Sequence, residues 1–80
     1  MKWNNLTKIP GRNKDDMQSN ELYFIVQIRG HKAIRHGRYS WEIDKDTEKP
    51  KGFDIECHGN FVPLKWITRE DFFELINSSL

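Results

Sequence analysis

The chain has 80 residues, 36% hydrophobic and 12% aromatic, with a formal net charge of +1. A chain of this length buries only about two thirds of its unfolded surface, which predicts one domain over residues 1–80 with a small core built on Trp, Phe and Tyr. One cysteine excludes an intramolecular disulfide, and no apolar run reaches membrane length. The expectation is therefore a soluble, cytoplasmic protein in a reducing compartment, without a membrane role or a cofactor.

The charge is unevenly spread: residues 1–40 hold eight Lys or Arg against three acids, and residues 41–80 hold five against nine. In a folded meander such halves interleave, so compensation across strands competes with a partner surface as the explanation.

In chain order, Trp3, Leu6 and Ile9 fall three apart, a spacing that predicts one helical or 3₁₀ turn laid on the core and ended by Pro10. Residues 11–20 hold one apolar side chain, Met17, among turn formers, and read as an exposed loop. From Leu22 the pattern changes to strict alternation. Leu22, Phe24, Val26 and Ile28 take one face of a strand, with Tyr23, Ile25, Gln27 and Arg29 on the other. Gly30 and His31 suit the centre of a two-residue II′ turn. Tyr39, Trp41 and Ile43 then alternate in a return strand, while Ile34 is out of phase, which predicts a bulge at Gly37.

Residues 45–52 form a charged connection containing Pro50 and Gly52. Phe53, Ile55 and Cys57 then alternate with Asp54 and Glu56, a turn is centred on Gly59, and Val62, Leu64 and Trp66 return in register, which together read as a second hairpin. Pro63 has no donor and predicts an edge strand or a bulge. Thr68 followed by Asp71 resembles a capping box, Ile67 and Phe72 are placed as a hydrophobic staple, and Glu70 and Asp71 suit a first helical turn. The helix is expected over residues 68–78, with Phe72, Leu75 and Ile76 as its apolar face. The fold class is α+β: an antiparallel sheet of about four strands in two hairpins over residues 21–66, one C-terminal helix packed across it, and residues 1–20 as flap and loop.

The run RGHKAIRHGR, residues 29–38, puts four fixed positive charges and two histidines at the hairpin tip and return. It is the best candidate for phosphate or partner binding, since Lys and Arg on a β-ribbon release counterions in a groove or steer an acidic protein. Arg29, His31, Lys32, Arg35 and Arg38, with Tyr39 as an aromatic of the kind enriched at interfaces, are the expected contact residues. No nucleic-acid signature accompanies the run. Cys57, His58, His31 and His36 are the only soft metal ligands, and their spacing fits no zinc site. Asp54 and Glu56 share a strand face, and with Glu70 and Glu74 they read as a solvated acidic surface rather than a catalytic pair. An 80-residue domain seldom encloses a catalytic pocket, so the expectation is a protein that is not an enzyme.

Trp3, Ile9 with Pro10, residues 23–26, residues 37–39 and residues 62–66 occur in an order that resembles a group of short, uncharacterised phage and prophage proteins. Those open with a Trp and a Leu-Pro, pass through an apolar strand and an aromatic-bearing strand, and close on a Val and a Trp. Here Ile9 stands for the Leu, and a helix rather than a Pro-rich tail follows Trp66. The resemblance implies a phage origin, a bacterial host cytoplasm, and action on a host protein, such as a defence nuclease or nucleoprotein complex, in the manner of an anti-CRISPR protein. The expected function is thus stoichiometric protein binding. Nucleic-acid binding through residues 29–38 is the alternative, and monomer and homodimer are both open.

Overall fold

The computed structural model describes residues 3–79. It is α+β, with one antiparallel sheet and one C-terminal helix. The strands are β1 (Asn4–Asn5), β2 (Leu22–Ile28), β3 (His31–Ile43), β4 (Pro50–Glu56) and β5 (Val62–Thr68), and the helix α1 is Arg69–Ser78. The sheet has five strands, not about four, in the order β1-β5-β2-β3-β4.

The alternation of β2 fixes which face is the core. Leu22, Phe24, Val26, Tyr39 and Trp66 form one buried cluster, against which Leu6, Ile28, Ala33, Trp41, Phe53, Ile55, Cys57 and Phe61 pack. The registers Phe24↔Trp66 and Tyr39↔Phe53 put all four rings on the same side. Phe53 of β4 and Trp66 of β5 come within 6.2 Å at their ring centres although two strands separate them. In a flat sheet those strands would lie about 14 Å apart, so the sheet curls and this face is concave. On the convex face Ile67 is the one fully buried apolar residue among those described.

Gly37 sits in the middle of that curl. A Cβ there would overlap the Asp54 carbonyl oxygen and lie 2.8 Å from the Ile55 Cα, so glycine is required for space, to let β4 approach β3. No bulge occurs at Gly37: β3 pairs with β2 without a shift, and its irregularity falls between Ser40 and Ile43. Ile34 therefore keeps its phase and points to the convex face.

The hairpin turn is offset by one residue from the expected position. Ile28 pairs with His31, so the central residues are Arg29 (φ 50°) and Gly30 (φ 81°). Positive φ at both defines a I′ turn, whose twist matches the strands. The expected second hairpin does not form. β4 pairs with β3, and β5 crosses to the far side of β2. A one-residue bulge at Leu64, between Ile25↔Lys65 and Val26↔Pro63, absorbs Pro63 and turns Val62 to the face opposite Trp66.

Residues 3–10 form no helical turn. Asn4 and Asn5 pair with Trp66 and Lys65, and a β-turn follows, closed by Lys8 N donating to Asn5 O at 3.0 Å. The Trp66 indole N–H donates to the carbonyls of Lys8 (2.9 Å) and Asn5 (3.2 Å), which lays Leu6 on the concave face and leaves Ile9 exposed. The loop that follows is pinned at its end. Ser19 N donates to Tyr39 O and Trp41 N to Met17 O, both at 2.8 Å, so residues 17–19 continue alongside β3 beyond the start of β2.

α1 starts where the capping signal places it. The Thr68 side chain accepts from Asp71 N at 3.2 Å, satisfying one free amide of the first turn. Phe72 stacks on Tyr23 with ring centres 4.3 Å apart and meets Trp3 edge-on at 6.0 Å. The helix packs mainly on β5 and β2, and none of its residues is buried. Its apolar side thus overhangs the convex face more than it covers it.

Candidate interaction surfaces

Strand alternation divides the basic run. His31, Ala33, Arg35 and Gly37 share the concave side with Val26 and Phe24, whereas Lys32, Ile34, His36 and Arg38 take the convex side, by the registers Phe24↔Arg35 and Ile25↔Ile34. Arg29 is at the turn. The expected contact residues therefore do not make one patch. Tyr39 leaves the set altogether: it is 6% exposed, with its ring 4.9 Å from Phe53 and 5.2 Å from Trp41, and is a core residue. Arg38 turns back to the chain, donating to the Ser19 carbonyl at 2.9 Å, and Arg35 donates to the Ile34 carbonyl at 2.8 Å. Among the described residues, Arg29, Lys32, Arg35 and Arg38 have no carboxylate within ion-pair distance.

The basic and acidic halves meet on the convex face between β3 and β4, where the register sets His36 opposite Glu56 and Arg38 opposite Asp54. His36 Nε2 lies 3.3 Å from Glu56, and its Nδ1 lies 3.5 Å from Glu21. These contacts become ion pairs when the imidazole is protonated. With Gln18, Arg38, Ser40 and Asp54 they line a shallow cavity of about 160 Å³. Glu70 and Glu74 are on α1, which meets β5 and β2, so they are not brought to Asp54 and Glu56 on β4. Cys57 is half-buried and His58 exposed. Among the described residues no group of three or more His, Cys, Asp or Glu side chains is arranged to hold a metal ion, and no helix is long and apolar enough to cross a membrane.

What the periodicity left unremarked is the apolar content of the convex face. Ile25 and Ile34 are direct cross-strand partners, and Val62 sits opposite Gln27 beside them. Ile34 is 43% exposed, Val62 58%, and Phe73 and Ile76 on the overhanging helix 43% and 41%. Phe73 joins this surface through Tyr23, 6.1 Å away, and carries the Arg69 guanidinium over its ring at 5.3 Å. Lys32 and Lys65 flank the isoleucines; Lys65 Nζ donates to Asn5 Oδ1 at 2.6 Å. The signal was present as Tyr23 and Ile25 on the side of β2 opposite Leu22, Phe24 and Val26. Only the short reach of the helix shows that one of those sides stays open. No family model, curated protein or solved structure matches the chain.

Proposed function

We propose that this chain is a non-catalytic protein-binding module that docks the part of its convex face around Ile25, Ile34 and Val62, one copy per site, on an acidic surface of a partner. The observation that carries this reading is the apolar centre of Ile25, Ile34 and Val62 with Phe73 and Ile76, edged by Lys32, Lys65 and Arg69. Aliphatic side chains that stay in water in the free protein gain by burial at about 25 cal/mol per Å², and the surrounding cations steer an acidic partner and speed association. The resemblance to short phage proteins extends the reading: the partner is a host protein, including a defence nuclease, and the outcome is inhibition in a bacterial cytoplasm.

The test is titration of a partner recovered with tagged protein after nuclease treatment. Binding should saturate near equal molar amounts, and Lys32→Glu with Ile34→Glu should weaken it at least about tenfold, by the loss expected when a hot-spot contact is removed, without changing the melt. Full affinity in that double variant, or an effect on the partner far below equal amounts, would refute the reading. The second reading, nucleic-acid binding by the tip residues Arg29, His31, Lys32 and Arg35, rests on their cluster of positive charge, which no carboxylate among the described residues pairs. It requires binding that falls steeply with salt.

A further inference from the structure

The sheet order leaves β4 with a single neighbour, β3. Its Pro50, Lys51 and Gly52 at φ 87° lie at its beginning, so along residues 53–56 the backbone edge is open and its charged side chains, Asp54 and Glu56, are both acidic, which blunts pairing with an acidic strand and favours a basic one. On the concave side of this edge Phe53, Ile55 and Cys57 remain only half-buried although they pack on the core. At the end of this edge an open depression of about 650 Å³ is lined by Ile28, Arg35, Ile55, Cys57 and His58, with His36 and Glu56 at its convex rim. On the convex side of the same edge the exposed residues are acidic, Asp54 and Glu56. Asp54 has no cation within ion-pair distance among the described residues, because Arg38 opposite it bonds Ser19 instead. Among the described residues Glu56 meets only His36.

From this juxtaposition we infer that the β4 edge is an acceptor for an extended segment of a partner protein in which apolar residues alternate with Lys or Arg. Added as a strand, such a segment hydrogen-bonds along β4. Its apolar side chains complete the concave core over Phe53 and Ile55, and its cations stand beside Asp54 and Glu56. A second copy of the chain does not suit this edge: antiparallel β4–β4 pairing keeps like faces together and brings the Asp54 and Glu56 carboxylates of the two copies side by side, which is destabilising. The inference is independent of the proposed function, since it uses the β4 edge rather than the surface around Ile34, and acidic rather than basic side chains.

The experiment uses three nine-residue synthetic peptides: valine alternating with lysine, the same composition in blocks, and valine alternating with glutamate. The alternating Val/Lys peptide should bind and slow amide exchange within residues 53–56, and the block peptide should bind about tenfold more weakly because it cannot satisfy both faces of the strand. Asp54→Lys with Glu56→Lys should shift preference to the Val/Glu peptide. Asp54→Asn with Glu56→Gln, which removes charge without reversing it, should weaken Val/Lys binding without creating that preference. Lys32→Glu with Ile34→Glu should leave peptide binding unchanged, which separates this inference from the proposed function. Equal binding of alternating and block peptides, protection away from β4, or protection of residues 53–56 by self-association of the free protein would each overturn it.

Discussion

Replacing Gly37 by alanine tests the packing on which the curl of the sheet depends. The new Cβ would overlap the Asp54 carbonyl oxygen and stand 2.8 Å from the Ile55 Cα and 3.0 Å from the Asp54 carbonyl carbon. All three are backbone atoms of β4, so no side chain can rotate away, and relief requires β4 to move off β3. Overpacking of this kind costs about 1–3 kcal/mol and sometimes more. The upper end applies here, because the displaced element also supplies Phe53, which packs on Phe24, Tyr39 and Trp66. At about 4–8 °C per kcal/mol for a domain of this size, the Tm should fall by roughly 12 °C or more. Two other glycines serve as controls in the same urea and thermal series. Gly52→Ala meets nothing within 4 Å but holds φ at +87°, and should cost about 1–2 kcal/mol from backbone strain alone. Gly11→Ala also meets nothing and has no such φ, so its effect should lie between zero and a gain of about 0.5 kcal/mol. A Gly37→Ala protein that melts within about 2 °C of the parent would refute the close approach of β3 and β4.

Trp66→Phe keeps an aromatic ring in the core but removes the N–H that holds the Asn5 and Lys8 carbonyls. A loss of about 2 kcal/mol is expected from the hydrogen bonds and the unfilled volume, with faster amide exchange at Lys8; unchanged exchange there would show that the N-terminal segment is held by other contacts. Phe72→Ala removes the ring stacked on Tyr23, and because Phe72 is only half-buried it should cost about 2 kcal/mol, below the 3–5 kcal/mol of a fully buried ring. Helical signal lost together with stability would tie α1 to that one contact, whereas a full-size loss would mean the helix covers more of the sheet than its contacts imply.

The proposed surfaces differ in how far they can be read without coordinates. The split of the basic run follows from strand geometry: side chains alternate, so Lys32 and Arg38 cannot share a face with His31 and Arg35. Burial of Tyr39 is also implied by alternation once β3 is taken as unbroken from His31, because Tyr39 then falls in phase with Ala33 and Gly37. The expected bulge at Gly37 hid this. A glycine within a strand marks either a bulge or a close backbone approach, and only the position of β4 distinguishes them.

Local chemistry was enough wherever a structure is decided by residues a few positions apart. The Thr68 cap and the helix behind it, the apolar face of β2, and the existence of a hairpin near Gly30 all depend on side chains acting within one turn or one strand. Strand neighbours were beyond reach, because alternation states which way a side chain points and not which strand lies beside it. Residues 53–57 and 61–66 read as a hairpin with equal right, yet β5 pairs with β2, where Trp66 can reach both Phe24 and the carbonyls of the N-terminal turn. That choice sets the two surfaces of interest. Sending β5 across the sheet leaves β4 as an open edge, and ending α1 over β2 and β5 leaves Ile34 exposed beside a half-buried Ile25, both outcomes of long-range packing that no window of the sequence contains.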